Sequence, residues 1–468
     1  MSESMQARLV VIGGGPGGYV CAIRAAQLGS GVVLVEKDQL GGTCLNRGCI
    51  PTKSLLACTE TLETIREASE FGIEVGEPKP DLAAMIRRKD SVSDTLRKGI
   101  AQLLKANKIE LVQGFGKLAA PDTVTVEREE GSLQIKTEGV VIATGSEPAQ
   151  LPTFDFTQPS ILTSTSGLEL TEIPPRMIIV GSGVVGSEFA TVFNALGTKV
   201  TMVELMDRIL PTEDPRISQQ MKRILNKKGI EILTETTIDE IVEYHPDGLK
   251  AKLSNGEILE AEKLLVSIGR SLNTGGIGLE EAGVELGKRG EIVVNDRMQT
   301  NLPGVYAIGD CVGGILLAHW ASFEGICAAE NAMGMESHLD PRVVPACIFT
   351  DPEIGSVGLN PSKAEEQGIE VKVGRFMFGG LGKALAMGKA QGFVQLVVDA
   401  KTDVVLGCQV MGPHASDLVH EAALAVKMGI TASQIGSTCH AHPSLSEAMM
   451  EAAEAVHDRC IHAAPARK

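Results

Sequence analysis

Apolar and polar positions fall in blocks along this chain, and the blocks recur in one order. Residues 8–36, RLVVIGGGPGGYVCAIRAAQLGSGVVLVE, run from an apolar stretch through a glycine turn into a helical segment, then out through a second apolar stretch ending on Glu36. That order predicts strand, turn, helix and strand. Residues 177–204, MIIVGSGVVGSEFATVFNALGTKVTMVE, repeat it. Gly181, Gly183, Gly186 and Glu204 each stand 168 positions beyond Gly13, Gly15, Gly18 and Glu36 (181 less 13, 204 less 36). Two more apolar runs close on glycine turns: VVIATGS at 140–146, with Thr144 and Gly145, and LLVSIGR at 264–270, with Gly269. Each is expected to return a strand to the ligand of its own half. Residues 54–110 carry helical apolar spacing, with their Lys and Arg expected on a solvated face. LPTFDFTQPS, 151–160, is rich in Pro and polar residues and reads as a linker. From about residue 344, strands such as GFVQLVVD alternate with helices such as HEAALAVKMG, and no third glycine turn of this kind follows.

In both repeats the glycines fit G-x-G-x-x-G between a strand and a helix, with an acid 23 residues beyond the first glycine (36 less 13). A glycine pattern alone is weak, but strand, turn, helix and acid in order are strong. The glycines bring backbone amides and a helix N-terminus to a pyrophosphate, and the acid accepts a hydrogen bond from the adenosine ribose. A turn without a ligand would explain one such unit; two in register are harder to dismiss. The fold class expected is therefore α/β, with two Rossmann-like dinucleotide-binding domains plus a C-terminal α+β interface domain. The net charge of −16 argues against nucleic acid as a partner, which needs clustered Lys and Arg. No run of about 18 apolar residues is present, so no segment is expected to cross a membrane. The N-terminus lacks the marks of a signal peptide, and ten cysteines without one point to a reducing, cytoplasmic setting.

Cys44 and Cys49 stand in GGTCLNRGCIPTK, residues 41–53, with four residues between them. On a regular helix they would lie roughly 7.5 Å apart along the axis, beyond the roughly 7 Å that a disulfide spans. A bridge here would close over a distorted turn and be readily reduced, as a catalytic one must be. Two buried, unreactive thiols are the alternative. Cys21, Cys58, Cys311, Cys327, Cys347, Cys408 and Cys439 have apolar or small neighbours and read as packing. In PGVYAIGDCVGG, 303–314, Asp310 follows a strand and a glycine turn, as a partner for a cofactor's polyol hydroxyls or as a helix N-cap. In STCHAHPSLSEAMMEAA, 437–453, Glu447 lies five residues after His442 at a helix start signalled by Ser444 and Ser446. A carboxylate beside an imidazole suits a thiol-deprotonating base. His440 reads as a structural residue, and no third ligand is spaced to make a metal site with the two histidines.

GGTCLNRGCIPTK, the two fingerprints, YAIGD and HAHPSLSE together resemble dihydrolipoamide dehydrogenase, in the pyridine nucleotide-disulfide oxidoreductases, and the likeness runs from residue 8 to residue 460. The resemblance implies an FAD-binding domain at 1–150, an NAD-binding domain at 151–272, a central segment at 273–343 returning to the FAD domain, and an interface domain at 344–468 that forms a homodimer. Gly13, Gly15, Gly18, Glu36, Gly42, Thr43, Thr144, Gly145, Asp310 and Ala318 would serve FAD, and Gly181, Gly183, Gly186, Glu204 and Gly269 would serve NAD. Cys44 would exchange with the dithiol and Cys49 would lie against the flavin. Lys53 matches a lysine beside the flavin ring, Glu188 its acidic partner near the nicotinamide, and His442 and Glu447 the base and its carboxylate. The base would come from the opposite subunit. The implied reaction is oxidation of protein-bound dihydrolipoamide to lipoamide with hydride passed to NAD. The implied partners are lipoyl domains and the acyltransferase core of a 2-oxo acid dehydrogenase complex, or the lipoyl protein of glycine cleavage.

Two departures stand out. Arg47 lies between the cysteines where an apolar residue is commoner, and its charge is expected to lower a neighbouring thiol's pKa. Trp320 stands where a lysine is commoner, next to the flavin contact expected at Ala318. Glu204 favours NAD over NADP because a carboxylate repels a 2′-phosphate, with Arg208 the weaker opposing signal. Three alternatives compete. A glutathione reductase would want basic residues where Glu204 stands. A mercuric reductase would want adjacent C-terminal cysteines, whereas this chain has the single Cys460. A non-catalytic flavoprotein would use the cysteine pair only as a switch.

Overall fold

The computed structural model describes residues 3–245 and 247–464. The chain divides into two compact units. One holds the chain up to Pro174, a short piece around 245–249, and Glu262–Leu339; the other holds Pro175–Tyr244, Lys250–Ala261 and the chain from Asp340 onward.

The first unit is built on a seven-stranded sheet. Its order is Glu110–Gln113, Val32–Glu36, Glu3–Ile12, Gly131–Ile142, Thr123–Arg128 and Phe115–Ala120, with Val305–Ala307 also paired to Gly131–Ile142. The strands from Glu110–Gln113 across to Gly131–Ile142 run parallel, as does Val305–Ala307 beside the last of them. Leu9 to Ile12 and Val32 to Val35 are buried without a break, the pattern of strands covered on both faces. The register brings Ile12, Val35, Ile142 and Ala307 to the same end of neighbouring strands. Ligands of open parallel sheets bind at the carboxyl ends of strands, and the glycine turns that follow Glu3–Ile12, Gly131–Ile142 and Val305–Ala307 leave the sheet there. The Pro16–Gln27 and Ala318–Ala332 helices meet through glycines: a Cβ on Gly325 would stand 2.4 Å from the Gly17 carbonyl oxygen.

The second unit carries the parallel strands Arg176–Val180, Lys199–Val203 and Glu231–Leu233 with the Val184–Ala195 helix. It also carries an antiparallel sheet ordered Ala346–Ile348, Glu353–Gly358, Val405–Gly412, Phe393–Asp399 and Val371–Met377. The Ala415–Met428 and Glu447–Ala455 helices cover that sheet around Phe376, Leu396, Val410, Val419 and Ala452. Among the described residues no helix is long and apolar enough to cross a membrane.

Three expectations need correction. The 54–110 stretch forms the Cys49–Arg66 and Leu82–Ala106 helices, but its cations are not all solvated. Lys89 is 1 % exposed, and its Nζ donates to the Leu168 carbonyl at 3.0 Å and to Glu169 at 3.0 Å. Cys439 is exposed rather than packed, while Cys21, Cys311, Cys327 and Cys408 are buried. The last helix does begin at Glu447, but Ser446 makes no side-chain cap.

Candidate active site

The two fingerprints share their backbone hydrogen bonds position for position. The Gly13 N–H donates to Val35 O at 2.8 Å and the Gly181 N–H to Val203 O at 2.9 Å, with φ of +108° and +93° that favour glycine. Glu36 accepts from the Gly14 and Asp38 N–H groups at 2.6 and 2.7 Å; Glu204 accepts from Ser182 and Met206 at 2.8 Å each, and from Ser182 Oγ at 2.7 Å. Burial pushes the Glu36 carboxyl above its ordinary value even though the Gly14 N–H favours its charge. A Cβ on Gly18 would stand 1.8 Å from the Gly13 oxygen, so the backbone itself requires that glycine. Gly186 is buried in the first turn of its helix. Gly15 and Gly183 differ. Their φ values are −69° and −68°, and a Cβ on Gly183 would meet nothing within 4 Å, while one on Gly15 would meet only Gly42 Cα, at 3.9 Å. Neither strain nor packing explains these two glycines, whereas a dinucleotide lying against the backbone does. Arg208 turns to the Pro211 carbonyl at 3.2 Å.

Three motifs far apart in sequence join at the end of the first sheet. Ser146–Pro148 pairs antiparallel with Arg270–Leu272. Arg270 Nε donates to Ser146 Oγ at 2.6 Å and its Nη2 to Ser146 O at 2.6 Å; Ser146 Oγ donates to Asp310 Oδ2, which lies 3.4 Å from Arg270 Nε. The Asn273 side chain donates to Thr144 O at 3.1 Å, and its N–H to Gly145 O at 3.0 Å. Asp310 sits in the short turn Gly309–Val312, and Ala318 opens the helix that follows. Ser146, Arg270 and Asn273 were missed as individual residues, although two of them end the motifs VVIATGS and LLVSIGR.

The cysteine turn lies against this assembly. Gly42, at φ +57°, brings its Cα side so near Gly15 that a Cβ would stand 2.7 Å from Gly15 Cα, and Thr43 Oγ1 donates to Ser146 O at 3.4 Å. The Gly42–Arg47 and Cys49–Arg66 helices are interrupted at Gly48, whose ψ of −113° departs from helix. Because of that break the side chains of Cys44 and Cys49 meet. The Cys49 sulfur, through its hydrogen bond, pushes the Cys44 thiol well up; burial and the Asp310 charge add to the rise and Lys53, one turn beyond Cys49, opposes it. The turn is pinned by Asn46, which donates to Leu40 O and Gly42 O, and by Ser93 Oγ, which donates to Leu45 O at 3.0 Å. Arg47 is paired with Asp38. Lys53, not Arg47, is the cation that acts on Cys44.

In the second unit His442 Nδ1 lies 2.8 Å from Glu447 Oε1, and the Ser444 N–H donates to Glu447 Oε2 at 2.9 Å. Burial works against ionisation of Glu447, but the Ser444 N–H and the imidazole outweigh it and hold the carboxyl below its ordinary value. His442 is 77 % exposed while its partner is 15 % exposed, a fixed carboxylate holding an accessible ring. His440 is tied at both nitrogens, to Thr438 O and Glu421. Glu188 is buried on the Val184–Ala195 helix and accepts from the Phe349 N–H at 3.0 Å.

Paired cysteines at a helix break, with twin dinucleotide turns, define a flavin-type disulfide oxidoreductase. Residues 7–325 match the pyridine nucleotide-disulphide oxidoreductase family and residues 344–453 its dimerisation domain; the chain belongs to that family. A dihydrolipoyl dehydrogenase of Bacillus subtilis (strain 168) is 45 % identical over 97 % of this chain and 98 % of its own length. A mitochondrial dihydrolipoyl dehydrogenase of Pisum sativum is 40 % identical over 98 % of this chain and 93 % of its own. The crystal structure of LpdA from Mycobacterium tuberculosis matches with a TM-score of 0.90 at 29 % identity, covering 96 % of this chain and 99 % of that one.

Proposed function

We infer that this protein is a dihydrolipoyl dehydrogenase, oxidising dihydrolipoamide to lipoamide and delivering hydride to NAD. The observation that carries the reading is the meeting of Cys44 and Cys49 at the Gly48 break. In the oxidised protein these sulfurs are joined. His442, oriented by Glu447, takes the proton of a substrate thiol; the thiolate attacks Cys44, the bond between the cysteines breaks, and Cys49 leaves as thiolate. The second substrate thiolate attacks the mixed disulfide, lipoamide departs, and both cysteines are left reduced. Bound FAD supplies a carrier that accepts an electron pair from thiols and passes it on as hydride. Lys53 holds positive charge beside the reduced pair. Gly13, Gly15, Gly18, Glu36, Gly42, Thr43, Thr144, Gly145, Asp310 and Ala318 would hold FAD, and Gly181, Gly183, Gly186, Glu204 and Gly269 would hold NAD, with Glu188 near the nicotinamide. The corresponding domains are 1–150, 151–272, 273–343 and 344–468. The protein acts as a homodimer in which His442 serves the cysteines of the second copy, and its partners are lipoyl-bearing proteins of a 2-oxo acid dehydrogenase complex or of glycine cleavage.

The test is anaerobic titration of the purified protein with dihydrolipoamide, followed by steady turnover with NAD. A long-wavelength absorption band at the two-electron stage and turnover with NAD far above that with NADP are expected. Absence of turnover, or equal rates with NADP, overturns the reading.

A further inference from the structure

A buried carboxylate outside the residues named above stands directly behind the Asp310 turn. Glu324, on the Ala318–Ala332 helix, is 4 % exposed, and its Oε2 accepts the Gly309 N–H at 2.6 Å. Gly309 is in the left-handed region at φ +73°, and a Cβ there would stand 3.4 Å from Ala321 Cβ, so the turn is seated tightly on the helix. The next residue is Asp310, whose Oδ2 is engaged by Ser146 and Arg270 on the opposite side. The turn is thus gripped from two directions, by Glu324 at its backbone and by Arg270 and Ser146 at its side chain. The indole of Trp320, one turn earlier on the same helix, faces the Glu324 carboxylate and favours its charged form.

We propose that Glu324 is a positioning residue of the flavin site: by holding the Gly309 N–H it sets where Asp310 stands for FAD, with Trp320 as its second partner. The proposal rests on the assignment of FAD to this site. Its charge is not settled by a nearby cation. The groups facing it are Trp320 from its own helix and Asp310 and Cys311 from the turn, while Arg24 of the packed Pro16–Gln27 helix is taken by Glu330. Burial raises the Glu324 carboxyl to about 7, and the negative Asp310 adds to the rise. The carboxylate therefore changes charge across neutral pH. Trp320 is the sole tryptophan of the chain, so its emission reads this event without labelling.

The experiment compares wild-type holoenzyme with Glu324→Gln, Glu324→Ala, Asp310→Asn and the Glu324→Ala/Asp310→Asn double variant. FAD dissociation is followed by the rise in free-flavin fluorescence on dilution, and Trp320 emission is followed from pH 6 to pH 8. A glutamine oxygen still accepts the Gly309 N–H, so Glu324→Gln should hold FAD within about threefold of wild type, while Glu324→Ala should lose about tenfold. In the Asp310→Asn background the alanine should cost little more, because it acts through Asp310. The emission change of the wild type should vanish in Glu324→Gln. Wild-type FAD retention in Glu324→Ala, or an unchanged loss in the Asp310→Asn background, overturns the proposal. An identical emission profile in Glu324→Gln does so too, and needs only the variant that conserves shape. None of these readouts involves dihydrolipoamide, so a failure here and a failure of the dehydrogenase reading are distinguishable.

Discussion

Replacing Gly183 with alanine separates a ligand's need for glycine from the fold's. The added Cβ meets no protein atom within 4 Å, and the φ of −68° is one that alanine adopts freely. Gly183 is the N-cap of its helix, where alanine costs roughly 0.5–1 kcal/mol. The stiffer unfolded chain returns roughly 0.4–1 kcal/mol. Net stability should move by less than about 1 kcal/mol, or about 2 °C in a chain of this size. A dinucleotide phosphate resting on that backbone would instead meet a methyl group, an overpacking worth about 1–3 kcal/mol. That is roughly 5- to 150-fold in affinity. The assay is kcat/KM for NAD at saturating dihydrolipoamide, with direct NADH binding, melting temperature and flavin content measured on the same preparation. The NAD terms should fall within that range while flavin content, which the proposed function assigns to the other fingerprint, stays full. An unchanged NADH affinity would show that the space beside Gly183 is not where the nucleotide lies.

Cys44→Ser and Cys49→Ser should each reduce dihydrolipoamide turnover to background, since each leaves one sulfur without its partner; either variant retaining turnover above background refutes the paired role. Glu447→Gln removes the charge behind His442 and should lower kcat/KM for dihydrolipoamide about 10- to 100-fold, the value of a hydrogen bond to a charged group, while NADH oxidation by a small artificial acceptor stays near wild type. Glu324, raised by burial to about 7 from 4.5, contributes stability that is present below about pH 4.5 and lost as pH rises through about 7, up to about 3 kcal/mol. The melting temperature of wild type relative to Glu324→Gln should therefore fall between pH 5 and pH 8, and parallel curves would refute it.

The parallel core and the two glycine turns were legible in the sequence because both depend on short-range pattern. Unbroken apolar runs such as Leu9–Ile12 specify strands buried on both faces, and Gly13 and Gly181 stand where left-handed backbone is needed. Helix rise alone put the cysteines too far apart for a regular helix to join them, and Gly48 supplies the break that brings their side chains together. What could not be read was side-chain partnership across long separations. Ser146 and Asp310 are 164 residues apart, Arg270 and Ser146 are 124, and no periodicity links them. Lys89 failed for the same reason: its helix pattern looks solvated, and only the Leu168–Glu169 segment 79 and 80 residues later covers it. Arg47 was judged by its neighbours in sequence, while Asp38 had already neutralised it.

The 168-residue duplication reaches down to single hydrogen bonds, with Glu36 and Glu204 receiving the same two backbone donors at matching positions. FAD and NAD both carry an adenosine diphosphate half, so twin grips of one design cannot tell the two molecules apart at that end. On the proposed assignment, sorting falls to the far halves, flavin or nicotinamide, and to the chemistry each turn offers beyond the phosphates: Thr43, Ser146 and Asp310 in one unit, the buried Glu188 in the other. On that assignment the two guests share a common handle and are distinguished by their working ends.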